Sequence, residues 1–70
     1  MKLTTGETLR RIRTQQGLKQ CDIEEAAGLS QGRLSRIEKH NDDLLYSTWE
    51  KLCKELKVSA VEFAKIKEGI

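Results

Sequence analysis

Seventy residues, 37% hydrophobic and 34% charged, suffice for one small soluble domain, residues 1–70, with a single core and no room for a second site. No apolar run reaches the length of a membrane span or a signal peptide, so a cytoplasmic location is expected. Cys21 and Cys53 lie far apart with no CxxC spacing, beside a lone histidine, His40, which argues against a metal site or a disulfide framework.

Both thiols are therefore expected to be reduced and at least partly buried. The net charge of +2 is unevenly spread: residues 1–40 hold eight basic and five acidic residues, and residues 41–70 hold five lysines and six acids. All five arginines fall in the first part. Arginine suits phosphate and guanine edges, so a surface facing a polyanion is expected there.

There is no proline and no strand signal, and the chain reads as helices separated by short breaks. Thr4 followed by Glu7 is a capping-box pattern that predicts a first helix from about Thr5, with Leu9 and Ile12 inward and Gly17 as its stop. A second helix is predicted from Lys19 or Gln20 to Ala27, with Ile23, Ala26 and Ala27 on one face and Gly28 ending it. Ser30 is expected to cap a third, running to about Lys39, whose buried side is Leu34 and Ile37.

A connector from His40 to Tyr46 follows, with Asn41, Asp42 and Asp43 as turn formers and Leu44 and Leu45 available to plug the core. Ser47 with Glu50 predicts a fourth helix, in which Trp49, Leu52, Cys53 and Leu56 recur at helical spacing. Ser59 with Glu62 predicts a fifth, to about Lys67. The fold class is thus all-α, a compact five-helix domain.

Helices two and three, about 19–39, are joined by the tight Gly28-Leu29-Ser30 turn, which is the layout of a helix-turn-helix. At about 100° per residue, Ile37 and Glu38 fall near Leu34, whereas Gly32, Ser35, Arg36 and Lys39 cluster opposite. Gln31 projects from the helix tip. Glutamine pairs with adenine and arginine with guanine, so Gln31, Gly32, Ser35 and Arg36 are the candidate base-reading residues, Gly32 permitting close backbone approach. A merely solvated face would carry more Glu and Lys.

Gln20, at a helix start, is the first candidate for a phosphate contact, and Lys19, Arg11 and Lys39 are further candidates by position. Arg13 is four residues after Leu9, and Glu38 is four after Leu34, so each flanks the buried edge of its helix. A charge there needs a partner, and an Arg13–Glu38 ion pair is expected.

The segment from Glu7 to about Phe63 resembles the Cro and lambda-repressor-like family of helix-turn-helix proteins, which includes the xenobiotic-response-element regulators. The resemblance rests on Arg13, Gly17-Leu18, Gln20, Ile23, Gly28, Ser30, Leu34-Ser35-Arg36-Ile37-Glu38, Leu52 and Leu56-Lys57-Val58-Ser59. It implies phosphate contact at Gln20, base reading at Gln31, Gly32 and Arg36, and a buried Arg13–Glu38 pair.

Three positions depart from the family pattern. Glu24 replaces an alanine packed on the recognition helix, so that helix is tilted or the Glu24 side chain bends out to solvent. Lys19 replaces a Ser or Thr cap. His40 replaces a helix-ending glycine, which shifts the stop to Asn41, and is itself expected to be a surface loop residue.

The function this implies is a sequence-specific, DNA-binding transcription regulator on double-stranded DNA. One helix in one groove gives limited affinity, so a homodimer on half-sites about 34 Å apart is expected. On the fifth helix Ala60, Val61 and Ala64 lie on one side and Phe63, Ile66 and Ile70 on another; the latter is the candidate dimer surface. The alternative is a protein-interaction module such as an antitoxin, with the same fold holding a partner protein. No Cys-His or Ser-His-Asp set is present, so no enzymatic activity, cofactor or metal is expected.

Overall fold

The computed structural model describes residues 2–69, which form five helices: α1 (Thr5–Gln15), α2 (Gln20–Ala27), α3 (Arg33–His40), α4 (Tyr46–Glu55) and α5 (Ala60–Glu68). Leu9 and Ile12 of α1, Ile23 and Ala27 of α2, Leu34 and Ile37 of α3, Leu52 and Cys53 of α4, Leu56 just beyond it and Phe63 of α5 make one core. α1 packs against α3 and α5, and α2 against α3 and α4. Among the described residues no helix is long and apolar enough to cross a membrane.

Two helix starts follow from local sequence. The Thr4 hydroxyl accepts from the Glu7 amide at 3.0 Å while the Glu7 carboxylate accepts from the Thr4 amide at 2.8 Å, so α1 carries the expected reciprocal cap. Ser59 caps α5 by accepting from the Glu62 amide at 3.1 Å. α2 ends at Gly28 and α3 at Asn41, whose φ of 50° is left-handed and whose amide donates to the Ile37 carbonyl.

The other two caps differ from expectation. Ser30 does not cap α3: its carbonyl accepts from the Arg33 amide in a turn, and the helix begins three residues later. The N-cap is Gly32 at φ 86°, a backbone conformation that any side chain would strain. Ser47 does not cap α4, which starts one residue before it with Leu45 as an N-cap lacking a side-chain bond.

Several inward assignments also change. Ala26 is exposed, because the helix turn that buries Ile23 and Ala27 also buries Glu24 beside them. Leu44 packs on the core, but Leu45 is 74% exposed, since the extended connector sends successive side chains to opposite sides. Cys21 is exposed, whereas Cys53 is buried and burial pushes its thiol above the ordinary value of 9.0.

The candidate dimer surface on α5 is less exposed than expected. Phe63 is buried, Ile66 is half-buried against the same core, and Ile70 lies outside the described residues. Trp49 meets Phe63 edge to face, with centroids 5.3 Å apart, and this aromatic contact turns that side of α5 inward. The side left in solvent is Ala60, Val61 and Ala64.

α1 approaches α3 most closely at Gly6. A Cβ there would overlap the Ile37 carbonyl oxygen and stand 3.1 Å from the Glu38 Cα, so only glycine lets the two backbones meet. The Gly6 amide, one of the donors that the first turn of α1 leaves unpaired, donates to the Asn41 Oδ1 at 3.2 Å. Gly6→Ala is therefore expected to destabilise the domain by about 2–4 kcal/mol through forced separation of α1 and α3. A urea titration followed by circular dichroism measures it, and an unchanged midpoint would contradict this packing.

Candidate nucleic-acid interface

The interface begins with a buried charge. Glu38 on α3 has a side chain only 1% exposed, which would be prohibitive without compensation. Arg13 on α1 supplies it in bidentate form, Nε to Oε2 at 2.8 Å and Nη2 to Oε1 at 3.0 Å. The third guanidinium nitrogen, Nη1, donates to the Leu18 carbonyl at 2.7 Å in the α1–α2 turn. Gln20, the first residue of α2, donates from Nε2 to Glu38 Oε1 at 2.9 Å. The expected pair is thus part of a four-membered network that ties α1, α2 and α3 together.

Glu24 is buried too. Instead of bending to solvent, its Oε2 accepts from the Leu34 amide at 2.9 Å, in the first turn of α3. The carboxylate replaces the missing side-chain cap at Gly32 and places negative charge at the positive end of the helix dipole. Lys19, lacking the hydroxyl of a usual cap, heads α2 with its amide donating to the Asp22 Oδ2 at 3.3 Å.

With α3 held this way, Gln31, Gly32, Arg36 and Lys39 are exposed and Ser35 half-exposed. The Arg36 side chain is 66% exposed. Gln31 and Gly32 belong to the turn before the helix and not to its face, because α3 starts at Arg33. Lys39 and Arg11 line an open groove of about 680 Å³ between α1 and the end of α3, together with Arg10 and His40. Lys19 and Gln20 do not line it; they stand at the amino end of α2. Gln20 spends one amide hydrogen on Glu38, which leaves its other hydrogen and its oxygen for a ligand.

Sequence reasoning missed two contributors. Arg33, at the first position of α3, bonds through Nη2 to the Asp43 carbonyl at 2.6 Å and pairs through Nη1 with Asp42 at 3.4 Å. Asp42 in turn lies 3.8 Å from the Arg36 Nε. The signal was present, two arginines one turn apart followed by two aspartates, but a run of Asn and Asp reads equally well as a turn.

Removing either partner of the buried pair leaves the other charged and desolvated. Arg13→Ala and Glu38→Ala are each expected to cost about 3–5 kcal/mol, close to the whole stability of so small a domain, in thermal melts. Arg13→Met combined with Glu38→Leu should melt higher than either single variant. Glu24→Ala should cost about 1–2 kcal/mol by loss of the α3 cap, and Glu24→Gln less, because an amide oxygen keeps the Leu34 bond in place.

Comparison with known families matches residues 9–63 to the helix-turn-helix family of the Cro/C1 type. Comparisons with curated proteins and with solved structures give no match. The match contains the Arg13–Glu38–Gln20 network, both helices of the motif and the apolar side of α4. The chain belongs to the Cro/C1-type helix-turn-helix family and is a DNA-binding regulator of the helix-turn-helix kind.

Proposed function

We propose that the protein is a sequence-specific transcription regulator that inserts α3 into the major groove of a palindromic operator as a two-fold homodimer. The observation that carries the reading is the solvent side of α3, where Arg36 projects from a helix fixed by buried charges behind it. In this reading Gln31, Ser35 and Arg36 read base edges while Gly32 lets the backbone close on the groove. Gln20, Lys19, Arg11 and Lys39 hold phosphates, which set position and salt dependence but carry no sequence information.

The dimer is supported by apolar side chains left in solvent at the start of α4 and on the outer side of α5. Leu45, Tyr46 and Val61 are 74%, 69% and 64% exposed, and Tyr46, Trp49, Ala60 and Ala64 line one shallow groove. The dimer surface is accordingly assigned to the Val61 side of α5 and the start of α4, in place of Phe63 and Ile66. On DNA, half-sites about 10–10.5 base pairs apart are expected.

Selection of bound sites from random duplexes identifies the operator, and anisotropy competition against scrambled duplex then measures preference. Arg36→Ala should cost about 1–3 kcal/mol and relax preference at one base position of each half-site. Equal binding to every sequence, or an unchanged profile for Arg36→Ala, would defeat the proposal. A copurifying protein required for any DNA affinity would favour the partner-holding role instead.

A further inference from the structure

Arg33 and Arg36 stand three residues apart on α3, so their guanidiniums share one side of the helix and repel each other. The connector after Asn41 returns along that side, far enough for the Asp43 carbonyl to meet Arg33 in the first turn. It brings one carboxylate to both arginines. Asp42 Oδ2 is 3.4 Å from the Arg33 Nη1 and 3.8 Å from the Arg36 Nε, with side chains 29% exposed for Arg33, 37% for Asp42 and 66% for Arg36.

We infer that Asp42 is a positioning residue for Arg36 and sets the specificity of the interface, an inference that rests on reading the α3 face as the DNA-binding one. The aspartate restrains the Arg36 guanidinium from the side and offsets the charge of the Arg33–Arg36 pair. On a non-cognate duplex, where Arg36 finds no matching base edge, both arginines would otherwise turn to phosphates. Asp42 competes for them and its own charge opposes the backbone, so sequence-independent binding is held down. On the cognate site a bidentate base contact replaces the long Asp42 contact, and little is lost. Exposed ion pairs are weak, which suits a restraint that must yield to the correct partner.

The test compares Asp42→Asn, which keeps the shape and an acceptor oxygen, with Glu55→Gln, an exposed acid at the end of α4 that gives the same change in net charge. Binding to operator and to scrambled duplex is measured across a potassium chloride series, with retention on heparin as a readout that needs no operator. Relaxation of the Arg36 Nε–H group by NMR reports its restraint in the free protein.

Asp42→Asn should raise affinity for scrambled duplex about 3–5-fold beyond Glu55→Gln. It should also steepen the salt slope by about one, as one more guanidinium takes a phosphate. Operator preference should narrow, heparin retention should rise beyond the Glu55→Gln control, and the Arg36 Nε–H group should become more mobile.

Equal effects of the two variants on heparin and scrambled duplex, or an Arg36 side chain no more mobile than in the parent, would overturn the inference. So would a uniform loss of affinity for both duplexes. A parent protein that never prefers any duplex would overturn the functional reading and the specificity role with it. Heparin retention and Arg36 mobility would then still report whether the restraint exists.

Discussion

The Glu38 carboxylate is the point on which the motif depends, because a charge this deeply buried is tolerable only if every partner is in place. Arg13 comes from α1, Gln20 from the start of α2, and the Leu18 carbonyl from the turn between them, so satisfying one charge fixes three segments at once. An apolar pair of similar volume would pack as tightly, but it would specify orientation less strictly than bonds with fixed directions. No buried side-chain nitrogen or oxygen among the described residues lacks a hydrogen-bond partner, so the interior holds no unpaired polar group that would favour a looser arrangement.

The same logic explains how a helix of eight residues can stand as the second helix of the motif. A helix as short as α3 is unstable alone in water, and here its ends are held from outside. Glu24 of α2 closes the start, and Asn41 closes the finish while also accepting from Gly6 of α1. Leu34 and Ile37 hold its inner side in the core. Its outer side is then released from stabilising the helix, which is why Ser35 and Arg36 can stand where a self-sufficient helix would carry Glu and Lys pairs.

Charge is arranged on two scales. Arginines gather on α1 and α3, yet the connector lays Asp42 and Asp43 directly beside α3. A surface built only for attraction would not include them. The apolar side chains left in solvent lie at the start of α4 and on the outer side of α5, and the groove between these two helices is also lined by Asp42 and Asp43.

Periodicity and capping residues determined the number of helices, the two hydroxyl caps at Thr4 and Ser59, the inward residues of α1 and α3, and the Arg13–Glu38 pair. These depend on interactions within a few residues, or on a charge placed at the edge of an apolar stripe. Tertiary structure alone decided the cap of α3, the need for glycine at Gly6, which side of α5 faces inward, and the approach of Asp42 to Arg36. Each of these joins groups from different elements, or depends on how closely two backbones can pass. Local pattern carries no record of either: Ser30 resembles a cap until Glu24 arrives from another helix, and Phe63 resembles surface until Trp49 is packed against it.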